Sequence, residues 1–436
     1  MNRRDFSRVM LAGAAAGMLP RRLLAHPPTL TVDGTRLNAH LAELAQFGKN
    51  PQGGVTRLAY SDADRRGRAY VIDLMRQANL SPSIDAAGNI IGRRAGRDAS
   101  AKPLLLGSHV DSVPEGGNYD GPVGSLAAIE VAQTLVEHDV VTRHPLEVTI
   151  WQNEEGGLYG SRAVSGELEA YELSNVSRSG KSISDGIAFI GGSVAELSSA
   201  RRAPGSIAGY LELHIEQGGT LDSAHVDIGI VEGIVGIHQW EVTVTGFANH
   251  AGTTPMDHRH DALLAGARFV DLVNRVVRAE PGRQVGTVGR IQAFPGAPNV
   301  IPGKVVLTLE LRDLDAAKID RLYRRIADGA TRIAQETGTT FAYTDLHVNL
   351  PALSDPRVRA LIAASARELG LSTRQLPSGA GHDAQAMARL GPMGMIFVPS
   401  VGGISHAPTE FTKPQDVTNG ANVLLRTLLA MDDAMS

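Results

Sequence analysis

Two adjacent carboxylates, Glu154 and Glu155, stand just beyond a largely apolar run, Leu146-Glu147-Val148-Thr149-Ile150-Trp151, after Gln152 and Asn153, and precede Gly156 and Gly157. A buried strand that ends on paired like charges needs something to neutralise them, because each carboxylate raises the other's pKa. Other residues able to do chemistry also stand at the ends of apolar runs. His109 closes "PLLLGSH", His214 lies near the end of "GYLELHI", and His406 follows "MIFVPS" within "GGISHAP". Asp120 lies in a Gly-rich loop, "EGGNYDGPVG". Several histidines and carboxylates at strand ends form a ligand set for a pair of divalent cations. On that reading one glutamate is neutralised by coordination, and the other carries the proton of an attacking water. The plainer alternatives are a solvated strand end for the glutamates and an ordinary structural histidine for His406.

The elements around these residues define where they would meet. Open parallel sheets bind ligands beyond the C-terminal ends of their strands. The runs at 103–112 and 146–155 flank a helical stretch from about Val123 to His138, which makes a βαβ unit with parallel strands and a right-handed crossover. Upstream, Leu37, Leu41 and Leu44 recur at helical spacing. Val71, Leu74 and Met75 do the same in a helix that Ser61 can cap. "NIIGRR" at 89–94 reads as a strand. From about 233 to 347 the pattern changes. Trp240, Val242 and Val244 alternate; a helix carries Leu263, Val270, Val273 and Val277; strands fall near 285–293 and 304–312; and a second helix carries Ile319, Leu322, Ile326 and Ile333. "TTFAYTDL" completes a βαββαβ order of the ferredoxin-like kind. The expected fold class is α/β, with a mainly parallel catalytic sheet interrupted by a smaller α+β lid. The expected organisation is 1–27 signal segment, 28–232 first part of the catalytic domain, 233–347 lid, and 348–436 second part of the catalytic domain.

Composition narrows the partners. The chain has 436 residues, with 42 Lys and Arg against 46 Asp and Glu. No basic stripe points to nucleic acid. Cysteine is absent, which excludes disulfides, a thiol nucleophile and a Cys-ligated zinc site. Arg3-Arg4 before Phe6, followed by a weakly apolar run from Val9 to Leu19, resembles a twin-arginine export signal. That run is too short to span a bilayer. The expected location is the periplasm, or the cytoplasm if this segment is only a basic N-terminus.

Eight ordered motifs carry a family resemblance: "GSHVDSVPEGGNYDGPVG", "QNEEG", "HIEQG", "GFANHAGTTPM", "PNVIPG", "LRDLD", "SGAGHDAQ" and "GGISHAPTE". Together they span the chain beyond the signal segment almost end to end. The sequence resembles the hydantoinase/carbamoylase branch of the dimetal amidases. That branch includes N-carbamoyl-L-amino acid hydrolases, β-ureidopropionases and allantoate amidohydrolases, and it is related to aminoacylase-type exopeptidases. The resemblance implies two divalent metals per subunit, zinc or manganese first, with cobalt and nickel as further candidates. His109, Asp120 and His214 are implied to hold one metal. Asp120, Glu155 and His406 are implied to hold the other. Glu154 is the implied general base, and Asp111 is implied to orient His109. Gln217, Asn299, Arg312, Gly381 and His382 are implied to contact substrate, with Asp383 behind them, and His250 is implied to stabilise the oxyanion. The alternatives are an Asp313 or Asp315 ion pair for Arg312, a plain loop position for His250, and a helix cap for Asp383.

The implied substrate is a small ureido or amide carboxylic acid, cleaved at a linear, non-peptide C–N bond. Two other functions compete with this one. One is an aminoacylase or exopeptidase on the same scaffold, against which His214 argues, because the peptidase relatives more often place a carboxylate there. The other is a catalytically silent periplasmic binding protein. The resemblance also implies a homodimer through the lid; because His250 follows the strand at 238–246, it is expected to act on the partner's site, the alternative being its own.

Overall fold

The computed structural model describes residues 30–435. The expected signal segment lies outside the described residues. Residues up to 235 contribute strands β1 (Ser81–Ile84), β2 (Ile90–Arg94), β3 (Leu104–His109), β4 (Leu146–Trp151), β5 (Gly209–Ile215) and β6 (Ile228–Ile234). Residues 236–349 contribute β7 (Gly236–Thr245), β8 (Asn249–His250), β9 (Val285–Phe294), β10 (Val300–Ile301), β11 (Lys304–Asp313) and β12 (Thr340–Asn349). The remainder contributes β13 (Ala352–Leu353), β14 (Thr373–Ser378) and β15 (Met393–Val398).

The larger sheet has nine strands in the order β1-β2-β4-β3-β5-β15-β6-β13, with β14 paired to β6. Its centre is parallel: β3 pairs with β4 and β5, and β5 with β15. Every residue of β3, β4, β5 and β15 is buried. Strands covered on both faces read as near-continuous apolar runs, and these four do, with Glu147, Thr149 and Glu212 among the polar interruptions. Parallel pairing puts their C-terminal ends on one edge. His109 stands opposite Trp151, and His214 opposite Phe397.

The crossover between β3 and β4 is the helix Pro122–Glu137, buried along most of its length. It lies so close to β5 that a Cβ at Gly124 would sit 2.1 Å from the Leu213 carbonyl oxygen. Ser61 caps the helix Asp62–Gln77 by accepting from the Asp64 N–H, as its position before the periodic residues suggests. Strand β1 was not apparent in the sequence. It contains Pro82 and pairs only with β2 at the sheet edge, where a missing N–H is tolerated.

The smaller sheet has four antiparallel strands in the order β12-β7-β11-β9. Trp240, Val242 and Val244 of β7 and Val305, Leu307, Leu309 and Leu311 of β11 form its buried face. The helices Ala262–Ala279 and Ala316–Thr337 cover that face. In the first of them Val273 and Val277 face the core as expected, but Leu263 and Val270 do not. Leu263 and Val270 are 39% and 37% exposed, whereas Ala262, Ala265, Phe269 and Leu272 are buried. Small residues let the first half of the helix approach the sheet, so its inner face combines Ala262, Ala265 and Phe269 with Leu272, Val273 and Val277. Among the described residues no helix is long and apolar enough to cross a membrane.

Candidate metal centre

Two histidines present bare nitrogens to one carboxylate. His109 ends β3, and its Nδ1 lies 3.0 Å from the Asp111 carbonyl oxygen. A carbonyl only accepts, so Nδ1 carries the proton and Nε2 carries the lone pair. His214, on β5, is fixed in the same way by the Ile215 carbonyl at 2.9 Å. Both Nε2 atoms are buried without a hydrogen-bond partner. They face Asp120 Oδ1 at 3.6 Å and 3.2 Å. The other oxygen, Asp120 Oδ2, lies 3.1 Å from His406 Nε2, which is itself 3.5 Å from Glu155 Oε1. The ligand atoms of His109, Asp120 and His214, and those of Asp120, Glu155 and His406, each lie within 4.8 Å of one another. Two buried lone pairs, a carboxylate shared between two groups of ligands and a further glutamate fit a pair of divalent cations.

Local structure aims these groups. Gly121, with φ +82, ends the Asp120 loop, and a Cβ there would sit 2.4 Å from the His109 ring. The turn after β4 is held by Asp111, whose Oδ1 and Oδ2 accept from the Glu154 and Glu155 N–H groups at 3.2 Å each. Orientation of His109 thus comes from the Asp111 main chain, while its carboxylate, 3.7 Å from Nδ1, braces the two glutamates.

Electrostatics separate the carboxyls. Burial raises Glu154 well above the ordinary glutamate value; His109 opposes the shift, and Asp383 and Glu155 add to it. Burial and the nearby Asp120 push Glu155 up to about 7. Burial would also raise Asp120, but the three imidazoles that face it, His109, His214 and His406, hold it well below the usual range. Glu154 Oε2 lies 3.7 Å from His109 Nε2. It is therefore a high-pKa carboxyl beside the ligand cluster.

The other expected residues fall into two places. Gln217 Nε2 donates to Asp120 Oδ2 at 2.7 Å, and its Oε1 is buried without a partner. His382 is buried; its Nε2 lies 2.8 Å from Ser378 Oγ, and its ring packs edge-on against His214. Burial, with His214 next to it, keeps His382 well below the ordinary imidazole value. Gly381 precedes it in the same loop. Asp383 opens the short helix Asp383–Met387 and does not cap it, and both of its oxygens are buried without partners. Arg312, near the end of β11, donates to Glu310 Oε1 at 2.6 Å and to the Gly379 carbonyl at 2.7 Å. Its ion pair is therefore with Glu310, because Lys318 and Arg321 pair with Asp313 and Asp315.

His250 and Asn299 sit apart from this group, on the lid. They adjoin through the β8–β10 pairing, and both are exposed. His250 Nδ1 accepts from the Gly252 and Thr253 N–H groups at 3.0 and 3.2 Å, so its Nε2 carries the proton. Neither residue makes a hydrogen bond or ion pair with the ligand cluster.

Two buried glutamates escaped the sequence reading. Glu212 lies two residues before His214 on one face of β5; it accepts from Ser108 Oγ, Tyr210 Oη and the Ala384 N–H. Glu410 ends the "GGISHAPTE" motif. Its Oε1 accepts from the Tyr119 and Asp120 N–H groups at 2.9 and 3.1 Å, and its Oε2 from Ser405 Oγ at 2.8 Å and the His406 N–H at 3.3 Å. One side chain thus ties the Asp120 loop to the His406 loop. Groups that orient metal ligands contribute roughly 10–100-fold to metal affinity. Glu410→Ala is expected to weaken metal retention by about that factor in competition with a chelator, with Glu410→Gln intermediate. Unchanged retention in both variants would show that the ligand loops hold themselves.

The sheet and this cluster define a dimetal hydrolase of the M20 type. The profile of Peptidase family M20/M25/M40 matches residues 105–430, and the chain belongs to that family. It is 42% identical over 402 residues to the N-carbamoyl-L-amino acid amidohydrolase of Geobacillus stearothermophilus, covering 91% of this chain and 98% of that one. It is 37% identical to the ureidoglycolate hydrolase of Arabidopsis thaliana, covering 92% and 87%. Among solved structures, a hydantoinase/carbamoylase family amidase from Burkholderia multivorans superposes with a TM-score of 0.85 at 39% identity, covering 93% and 99%.

Proposed function

We propose that this chain is a metal-dependent amidohydrolase that cleaves a linear, non-peptide C–N bond in an N-carbamoyl or ureido carboxylic acid. The observation that carries the reading is the pair of unpartnered Nε2 atoms facing a shared Asp120, with the high-pKa Glu154 beside them. The substrates in the relatives' names support the substrate class. His109, Asp120 and His214 would hold one cation, and Asp120, Glu155 and His406 the other. When bound, the cations supply positive charge that acidifies water and polarises a carbonyl. Zinc and manganese suit this His and carboxylate set.

The chain's own groups supply the rest. Glu154 takes the proton of the attacking water and returns it to the leaving nitrogen. Gln217 Oε1 accepts a ureido N–H. Arg312 offers a planar fork to the substrate carboxylate. For an N-carbamoyl substrate the products are an amine, carbon dioxide and ammonia. His250 Nε2–H donates to the oxygen that gains charge. Its exposure suits action on a second copy's site. Exposed Ile291 and Phe294 on the edge strand β9, with Leu263 and Leu264 on the covering helix, support a homodimer through this sheet; a monomer by light scattering would remove that assembly. The twin-arginine motif supports a periplasmic enzyme.

The test is an ammonia-release screen across N-carbamoyl amino acids, β-ureidopropionate, allantoate and ureidoglycolate, with the organic product identified. Release of the free amine or its ureido-cleavage product from at least one of them supports the reading. Metal-loaded protein inert on all of them sinks it.

A further inference from the structure

A cavity of about 500 Å³ has Gln217, Arg312 and Gly379 among its lining residues. Gln217 joins it to the metal centre through Asp120. Two more guanidinium groups line it, Arg283 and Arg374. Arg283 precedes β9, whose Val285 stands opposite Arg312, and it pairs with Glu232. Arg374 lies on β14, is exposed, and has no ion-pair partner among the described residues. The one carboxylate that lines the cavity, Glu216, is turned to the N-terminus of a short helix, where it accepts from the Thr220 and Leu221 N–H groups at 2.8 and 2.7 Å. Three arginines along one cavity, one of them unpaired, leave positive potential where the distal part of a substrate would lie.

We propose that this cavity is a subsite for a second carboxylate, and that the preferred substrates are N-carbamoyl amino acids with acidic side chains. The inference rests on the ureido-acid reading above. Arg312 takes the carboxylate common to all such substrates, and Arg374, with Arg283 beside the same space, takes the side-chain carboxylate. A guanidinium discriminates a carboxylate from its amide isostere by charge and by the bidentate match.

The experiment compares kcat/KM for N-carbamoyl-L-aspartate and N-carbamoyl-L-glutamate with the asparagine and glutamine counterparts. The wild-type acid-to-amide ratio is expected to be at least about tenfold for one pair. Arg374→Gln should bring that ratio toward one, and Arg374→Glu should invert it. Arg312→Lys should raise KM for acid and amide alike, which separates the common carboxylate from the second one. A wild-type ratio of one or less overturns the subsite while leaving the hydrolase reading intact. A high ratio that survives both Arg374 variants overturns the assignment to Arg374. Absence of turnover on all four compounds by metal-loaded protein removes the hydrolase reading for this class, and the subsite with it.

Discussion

Glu154→Gln is expected to lower kcat by about 10²- to 10⁴-fold, the usual contribution of a positioned general base. The amide keeps the size of the side chain but cannot take a proton from water. Glu154 is suited to the task by its surroundings: burial, Asp383 and Glu155 raise its pKa, and its Oε2 lies 3.7 Å from His109 Nε2 without belonging to either ligand trio. The metal content of the variant, measured by elemental analysis, should match wild type, because Glu155 and not Glu154 faces His406. Near-wild-type kcat in metal-loaded Glu154→Gln would move the base elsewhere. Loss of metal together with activity would make Glu154 a ligand.

Exhaustive chelation is expected to abolish turnover, and divalent cations should restore it. It should also expose a pH dependence of stability that the loaded protein lacks. The carboxyl of Glu155 is raised from its ordinary 4.5 to about 7. The stability contributed by its protonated form is present below 4.5 and is lost as pH rises through about 7. His406 is raised from 6.5 to about 9, through its hydrogen bond to Asp120, so its contribution is present below 6.5 and is lost as pH rises through about 9. His382, kept neutral by burial, runs the other way and destabilises as pH falls. Asp120, held low, matters only in acid, below its ordinary 3.8. Two of these groups lose stability between about pH 5 and 9 and one gains it, so the Tm of metal-free protein should fall across that window. The rise in Tm on adding metal should be larger at the alkaline end. A metal-free Tm that climbs with pH, or full activity after chelation with no metal found, would contradict the dimetal account.

What the sequence revealed depended on whether a signal was local. His109, Glu154, Glu155 and His214 could be found because parallel strands buried on both faces are predominantly apolar runs, and their ends are the ligand edge of the sheet. The β11 face was equally plain, since Val305, Leu307, Leu309 and Leu311 alternate without interruption and all are buried. In the helix Ala262–Ala279 Val273 and Val277 are legible core positions, but the first half faces the core through Ala262, Ala265 and Phe269, and alanines carry little weight in a search for large apolar residues. Strand β1 was hidden by Pro82. The support around the ligands was harder to see, because its hydrogen bonds cross long sequence distances. Glu410 meets Asp120 across 290 residues, and nothing local marks it except its place after His406. Arg312 illustrates the opposite case. Its partner Glu310 is two residues away on the same face of β11, closer in strand geometry than Asp313, which points to the other face.

The most direct test of the central claim places three compounds built on one amino acid before the metal-loaded enzyme: its N-carbamoyl derivative, its N-acetyl derivative and a dipeptide carrying it at the C-terminus. The account predicts turnover of the N-carbamoyl compound, with one amino acid and one ammonia released per event, and rates on the other two lower by at least about a hundredfold. Cleavage of the dipeptide or the N-acetyl compound at rates equal to or above that on the N-carbamoyl compound would contradict it and make the chain a peptidase or aminoacylase.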